Sequence, residues 1–472
     1  AASDVYKRQD NVSVLYVANC DNVTVENVSF DVEGLFVVNS EGVVVNNSFF
    51  NLNELEVDAV RVYNSVNITI IGNSINTSNS SEEAFYAEYL NNSLIKSNDV
   101  KIIGTSYGLY LVFSNGNSFY NLTIETQNLT TIYFSDADNN TVIDSVLNSS
   151  QGGSVYAKGI GEDYLINVSF NKSSITISSD NETIAKIYVQ WYLDVFVNRT
   201  DGASVDNALV EIWDVYSPPP NAGVIEVFTN ASGWIERQTL TEFWKNKTTI
   251  YNYNNYTVRA SKTGYTTTNQ SVNVSTNRVV KLQIDYVPVV SDVYITPSEP
   301  STSDDLNLYV TCGDEDNSTL TAFWKWYKNS VYTGLYGNAT INAGQNTLIT
   351  TLGSGNTTPE DNWTAEVWCS DNVVESSKVN TSVVITWCNA TLTESLTLTH
   401  DVNCPGTAFK IGADNITLDC QGHTINYSTS QQGYGVYINY DNVTVRNCTI
   451  RQASSVNDSH EFTLGIVMMT CL

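Results

Sequence analysis

The stretch Asp21-Asn22-Val23-Thr24-Val25-Glu26-Asn27-Val28-Ser29-Phe30 returns in outline as far as residue 167. At the place of Asn27, a polar residue ahead of a short apolar pair, stand Asn47, Asn73, Asn98, Asn121, Asp144 and Asn167, at steps of 20, 26, 25, 23, 23 and 23 residues. Repeats of that length are too short to bury a core alone, so they stack into solenoids. A leucine-rich solenoid needs recurrent leucines. Here Val23/Val25, Val43/Val45, Ile68/Ile70, Leu122/Ile124 and Val142 alternate with polar residues, the period of a strand with one buried face. The expected fold class is all-β, with the ladder residues turned inward so that each amide bonds its equivalent one coil above and below. The other reading is an Asn-rich β-sandwich whose turns recur by chance.

Residues 10–189 resemble the right-handed parallel β-helix repeats of pectate-lyase-like and archaeal or bacterial surface proteins. The pattern comes back in Asp441-Asn442-Val443-Thr444-Val445-Arg446-Asn447-Cys448-Thr449-Ile450, nearly a copy of residues 21–30. Between the two lie other kinds of segment. Residues 190–286, with Asp201-Gly202, Asn207-Ala208-Leu209-Val210-Glu211-Ile212, Thr229 to Ile235 and Tyr256 to Tyr265, resemble the carboxypeptidase-regulatory or transthyretin-like β-sandwich, a family whose usual role is structural. Residues 287–386 resemble an immunoglobulin-like sandwich, with Cys312 and Cys369 flanking Trp324 and Trp326. That resemblance implies a Cys312–Cys369 disulfide between sheets. Residues 387–472 look like the first coils of another β-helix, in which Cys388 and Cys404 would pair to cap an open end, while Cys420 and Cys448 either pair or merely stack. Eight cysteines at such spacings fit an oxidising exterior.

The chain carries 22 Lys plus Arg against 50 Asp plus Glu, a net charge of -28. That balance argues against nucleic acid or an anionic membrane as partner. No run approaches the roughly 20 apolar residues that span a bilayer. Sequons are abundant: 32 Asn-x-Ser/Thr sites occur among 56 Asn and 98 Ser plus Thr, where composition alone gives roughly 12 acceptors. The excess points to an N-glycosylated extracellular or cell-surface protein, against the alternative that β-helix turns simply favour these residues. In a strand the two ends of a sequon share one face and the middle residue takes the other. Expected glycan sites are Asn22, Asn67, Asn76, Asn128, Asn198, Asn230, Asn246, Asn255, Asn317, Asn338, Asn356, Asn380, Asn415 and Asn442. Asn27, Asn121, Asn167 and Asn447 are both sequons and ladder residues, so burial is expected to leave them bare.

Catalysis is not expected. Lyases of the resembled family pair calcium-binding acids with a basic residue and its hydrolases pair carboxylates, but Arg61, Lys96, Lys101 and Lys158 form no cluster in the repeat register. His400, His423 and His460 have no metal-ligand spacing. No cofactor or metal is required. The acidic run Gly313-Asp314-Glu315-Asp316-Asn317 reads first as a solvated turn and second as a calcium loop.

Residues 1–9, AASDVYKRQ, fit no coil and look like a translated sequencing-adapter tail, so both ends are expected to be cuts within a solenoid. Aligning Leu15–Cys20 with Ile466–Cys471 places Cys20 and Cys471 alike on a coil, which suggests an inter-subunit pair. The leading expectation is a glycosylated head-to-tail fibre or surface stalk whose partner is a second copy of itself. A cell-surface adhesin or carbohydrate-binding protein follows, and a polysaccharide lyase or hydrolase comes last. Exposed aromatics lining a groove would favour the adhesin.

Overall fold

The fold is that of a computed structural model, which describes residues 5–7, 14–52, 58–77, 82–102, 107–178, 185–216 and 223–452. Cys471, His460 and the side chain of Lys101 lie outside the described residues, as does everything expected of coils beyond 452. Nearly all regular structure is strand, with two short 3-10 turns and no α-helix among the described residues. The chain divides into two compact units, one of residues 1–198, 202–262 and 267–284, the other of 199–201, 263–266 and 285–472.

The first unit opens as a parallel β-solenoid with three sheets. Sheet C stacks eight strands, from Leu15–Ala18 to Ile175–Ser178. Sheet B stacks six, from Ser29–Phe30 to Val146–Ser149. Sheet A runs through Val5–Lys7, Thr24–Glu26, Val44–Asn46, Thr69–Ile71, Leu94–Lys96, Ser118–Tyr120, Thr141–Ile143 and Gly161–Ile166, so residues 5–7, expected to fit no coil, pair parallel and in register with Thr24–Glu26. Apolar alternation becomes an interior column because parallel in-register pairing keeps like above like. Val25, Val45, Ile70, Ile95, Phe119, Val142 and Leu165 follow one another in register and are all buried.

Sheet A does not end with the solenoid. Ala185–Asn198, a 14-residue strand of strict inward-outward alternation, pairs parallel with Gly161–Ile166 through its first six residues. It then pairs with Gln238–Lys245 and Arg278–Gln283. The expected boundary at 189/190 therefore falls inside one strand, whose inward-outward alternation runs on through a register shift in its pairing with Gln238–Lys245 at that place. Opposite lies a four-stranded sheet of Ile225–Phe228, Leu209–Asp214, Asn255–Ser261 and Thr268–Asn273.

The second unit holds a three-stranded sheet (Val289–Thr296, Leu306–Gly313, Thr347–Leu352) and a four-stranded one (Val331–Asn342, Thr319–Lys328, Asn362–Ser370, Val379–Val384). Cys312 and Cys369 join them in a core that includes Trp326 and Trp363. Three parallel sheets of three strands each follow from Ala390 to Gln452. There Cys388 bonds Cys404, and Cys420 bonds Cys448 from one coil to the next, which settles the pairing the sequence left open.

Candidate functional site

Each solenoid coil turns where one residue adopts a left-handed conformation, and these residues align in outer columns. After sheet A the column is Asn27, Asn47, Gly72, Ser97, Asn121, Asp144 and Asn167, all at positive φ. Asn and Gly dominate because they tolerate that region. The next residue points inward and forms an inner column. Where the turn breaks the ladder between coils, the inner side chain supplies the missing acceptor. Thus the Ser48 N–H donates to Asn73 Oδ1 at 2.8 Å and the Asn73 N–H to Asn98 Oδ1 at 2.8 Å.

This corrects the ladder. Asn73 and Asn98 are buried inner residues, whereas Asn27, Asn47, Asn121 and Asp144 are exposed outer ones and Asn167 is half-buried. Gly72 and Ser97 occupy the outer place in those two coils, so reading every Asn as one position slipped the register by one residue. Exposed Asn27, Asn121 and Asn447 are consequently not protected from glycosylation by burial, and neither is half-buried Asn167. The reverse holds for Asn246, which is buried, its Oδ1 accepting from the Thr248 and Thr249 N–H groups at 3.0 and 2.7 Å. Asn76, Asn198 and Asn317 are half-buried, and the other expected glycan sites are exposed. Cys20 is the free cysteine among the described residues, and its Sγ donates to Ala18 O at 3.1 Å.

A longer inner column, unseen in the sequence, precedes sheet A. The Ile68, Ser93, Asn117 and Asn140 N–H groups donate in turn to Ser93 Oγ, Asn117 Oδ1, Asn140 Oδ1 and Asp163 Oδ1 at 2.9 to 3.1 Å. Asp163 ends this run fully buried, and burial pushes its carboxyl up to about 8, against the pull of the two Asn140 donors.

The outer column after sheet C breaks the rule. It reads Asn19, Asn39, Asn64, Tyr89, Phe113, Asp136 and Gly159, every member at positive φ. Tyr89 and Phe113 sit at φ 56° and 47° where the repeat otherwise places Asn, Asp or Gly. A left-handed residue with a Cβ costs roughly 1–2 kcal/mol, and bulky aromatics lack the local hydrogen bonds that ease it for Asn. Their rings stack at 5.2 Å and remain 41% and 42% exposed. They form one wall of an open groove of about 940 Å³ whose other lining includes Asn115, Asp136, Asp138, Glu162 and Tyr164. Asp136 and Asp138 are held by the Ile160 and Glu162 N–H groups at 3.2 and 2.9 Å. Glu162 pairs with Lys186 at 2.5 Å. The groove is open and acidic, with Tyr89 and Phe113 along one side.

A second aromatic row runs along the outside of sheet C, where Tyr16, Phe36, Arg61, Tyr86, Tyr110, Tyr133 and Tyr156 pair in register. Its ring faces are largely taken by neighbours, with Tyr133 and Tyr156 at 4.6 Å and Arg61 over Tyr86 at 4.7 Å, so it serves the sheet. Beside it Asp58 bonds Arg61 at 3.2 Å and accepts from the Glu83 N–H at 3.0 Å. Burial raises Asp58 to about 6 despite Arg61. Burial and the Asp58 charge raise Glu83 to about 7. Among those of the four basic residues whose side chains are described, Arg61 alone meets a buried acid. Lys96 and Lys158 are exposed. His400 and His423 stand 3.6 and 3.3 Å from Glu360 and Asp401 respectively, and His400 Nδ1 also lies 3.1 Å from Thr399 Oγ1.

No protein-family model and no curated protein matches the sequence. Among solved structures, the major pilin subunit of Bacillus cereus aligns at 13% identity over 45% of this chain and 72% of that one, with a TM-score of 0.26. The A-module of a mannuronan C-5 epimerase from Azotobacter vinelandii aligns at 11% identity over 34% and 55%, with a TM-score of 0.25. A DUF3823 family protein from Parabacteroides merdae aligns at 10% identity over 42% and 98%, with a TM-score of 0.18. Each likeness concerns part of the chain and assigns it to no family.

Proposed function

We propose that this is an extracellular surface protein, structural in build and non-catalytic, whose N-terminal solenoid binds glycan chains in the groove of Tyr89 and Phe113. The observation that carries this reading is the pair of exposed aromatics at left-handed positions. Replacing Asn there trades a residue that adopts the left-handed turn cheaply for one that is strained in it, and strain kept at an exposed concave site is a mark of function. Aromatic faces stack on the C–H faces of sugar rings, and amides and carboxylates hydrogen-bond hydroxyls. With Asp136, Asp138 and Glu162 in the lining, neutral or amino sugars suit the groove and acidic polymers do not. Three disulfides fit an oxidising exterior, and among the described residues no helix is long and apolar enough to cross a membrane. The head-to-tail fibre has no such support, since its expected contacts involve residues 453–472.

The test is affinity electrophoresis of the full chain through gels carrying neutral, amino-sugar or uronic-acid polysaccharides. Retardation by a neutral or amino-sugar polymer, relieved by its free oligosaccharide, is the expected result. Equal mobility in all of them, or retardation by uronic-acid polymers alone, contradicts the reading.

A further inference from the structure

Four aspartates from three segments of the second unit converge. Asp285 precedes the strand Val289–Thr296, Asp314 and Asp316 lie in the loop after Leu306–Gly313, and Asp371 follows Asn362–Ser370. Asp285 and Asp371 are only 4% and 7% exposed, and the other two are half-buried. Their donors are few. Thr200 Oγ1 lies 3.0 Å from Asp285 Oδ1 and 2.7 Å from Asp316 Oδ2, though a hydroxyl has one proton to give. The Tyr286 N–H reaches Asp316 Oδ2 at 3.3 Å. Backbone N–H groups of Asp316 and Asn317 serve Asp314 Oδ1, both at 2.9 Å, and those of Val373 and Val374 serve Asp371 Oδ1, both at 2.8 Å. Asn317 Nδ2 reaches Asp316 Oδ1 and Asp371 Oδ2 only at 3.4 Å.

Two oxygens are left over. Asp285 Oδ2 and Asp314 Oδ2 are buried without a hydrogen-bond partner. Among the described residues none of the four aspartates has an ion pair, and Arg199 of the same unit is spent on Asp201 and Glu315 at 2.9 and 3.4 Å. The carboxyls of Asp285 and Asp371 meet directly, as do those of Asp314 and Asp316. Touching carboxylates with orphaned oxygens need either shared protons or a cation.

We infer that Asp285, Asp314, Asp316 and Asp371 form a divalent-cation site, with calcium as the ion their chemistry suits. The donors are hard oxygens on loops, able to build an irregular shell of six to eight ligands, where magnesium demands a tight octahedron. The solenoid trio Asp58, Glu82 and Glu83 has acid oxygens already within 4.8 Å of one another, but Arg61 pairs with Asp58 there and no oxygen of the trio is buried without a partner. The four aspartates are less tightly gathered, so the ion draws their side chains inward and pins three loops to one another.

The full chain, freed of metal with a chelator, is titrated with terbium and read by luminescence, then melted with and without millimolar calcium. Terbium emission that calcium displaces, with a rise of roughly 5 °C in the melting temperature, is expected. Both signals are lost in Asp285→Asn and in Asp314→Asn and kept in Asp58→Asn. Asp285→Asn removes a buried like charge, so without metal it melts no lower than the parent. No emission and no shift in the parent chain overturns the inference. So do signals that survive in Asp285→Asn and Asp314→Asn but vanish in Asp58→Asn, which place the ion in the solenoid.

Discussion

The inner column before sheet A and the outer column after sheet C pass through the same coils and face opposite demands. The inner one, Ser93, Asn117, Asn140 and Asp163, must return a hydrogen bond to the backbone of the coil before it, and every member carries an oxygen that does so. The outer one needs only a left-handed residue, and most members are the Asn, Asp or Gly that adopts it cheaply. Tyr89 and Phe113 do not fit that rule. A column that obeys its local chemistry throughout explains stability, and one that breaks it at two adjacent, exposed coils points to use.

The largest expected effect comes from cutting the inner column. Asn140→Ala orphans the Asn117 N–H, which donates to it at 3.1 Å, and leaves the Asn117 Nδ2 only its bond to Leu90 O, and should cost about 2–4 kcal/mol in urea unfolding followed by far-UV circular dichroism.

Asp163→Asn should act in the other direction. The folded carboxyl holds its proton up to about 8, far above its ordinary 3.8. Between those values unfolding releases a proton, so the parent loses stability as pH rises through this window and levels off above it. Asn keeps the acceptor without the charge. Its advantage is nil near pH 4 and grows to the order of 2 kcal/mol by pH 8, less than the full shift because water and relaxation screen the buried charge. Stability measured across that range checks both the sign and the window.

The smallest effect is on the outer side. Asn121→Ala removes an exposed amide whose one side-chain contact is Ser97 Oγ at 3.5 Å, so beyond the strain of Ala at positive φ, about 1 kcal/mol or less, nothing is lost. A loss as large as that of Asn140→Ala would erase the distinction between the columns.

The solenoid was legible because period-2 alternation at a regular spacing leaves little else to build. Register within it was not. An outer and an inner Asn differ by one residue, and coils that vary from 20 to 25 residues hide that slip until Gly72 and Ser97 are seen in the outer place. The Asn117–Asn140–Asp163 column is hidden in the sequence because the coils before it fill the same place with Ile68 and Ser93, so no single letter runs through it. The groove left one readable trace, aromatics at a turn position held elsewhere by Asn or Gly, but only against the correct register. Asp285 and Asp371, distant in sequence from the acidic run at 314–317, could be joined to it only by the fold.

The most direct test of the account is the double replacement Tyr89→Asn with Phe113→Asn, measured for polysaccharide retardation and for melting temperature on the same preparation. Asn restores the residue of the neighbouring coils at Asn39 and Asn64, so the predicted chain melts at or above the parent temperature and no longer binds. Undiminished retardation would contradict the assignment of the groove, and a marked loss of stability would show that the two aromatics are held in place for the fold and not for a ligand.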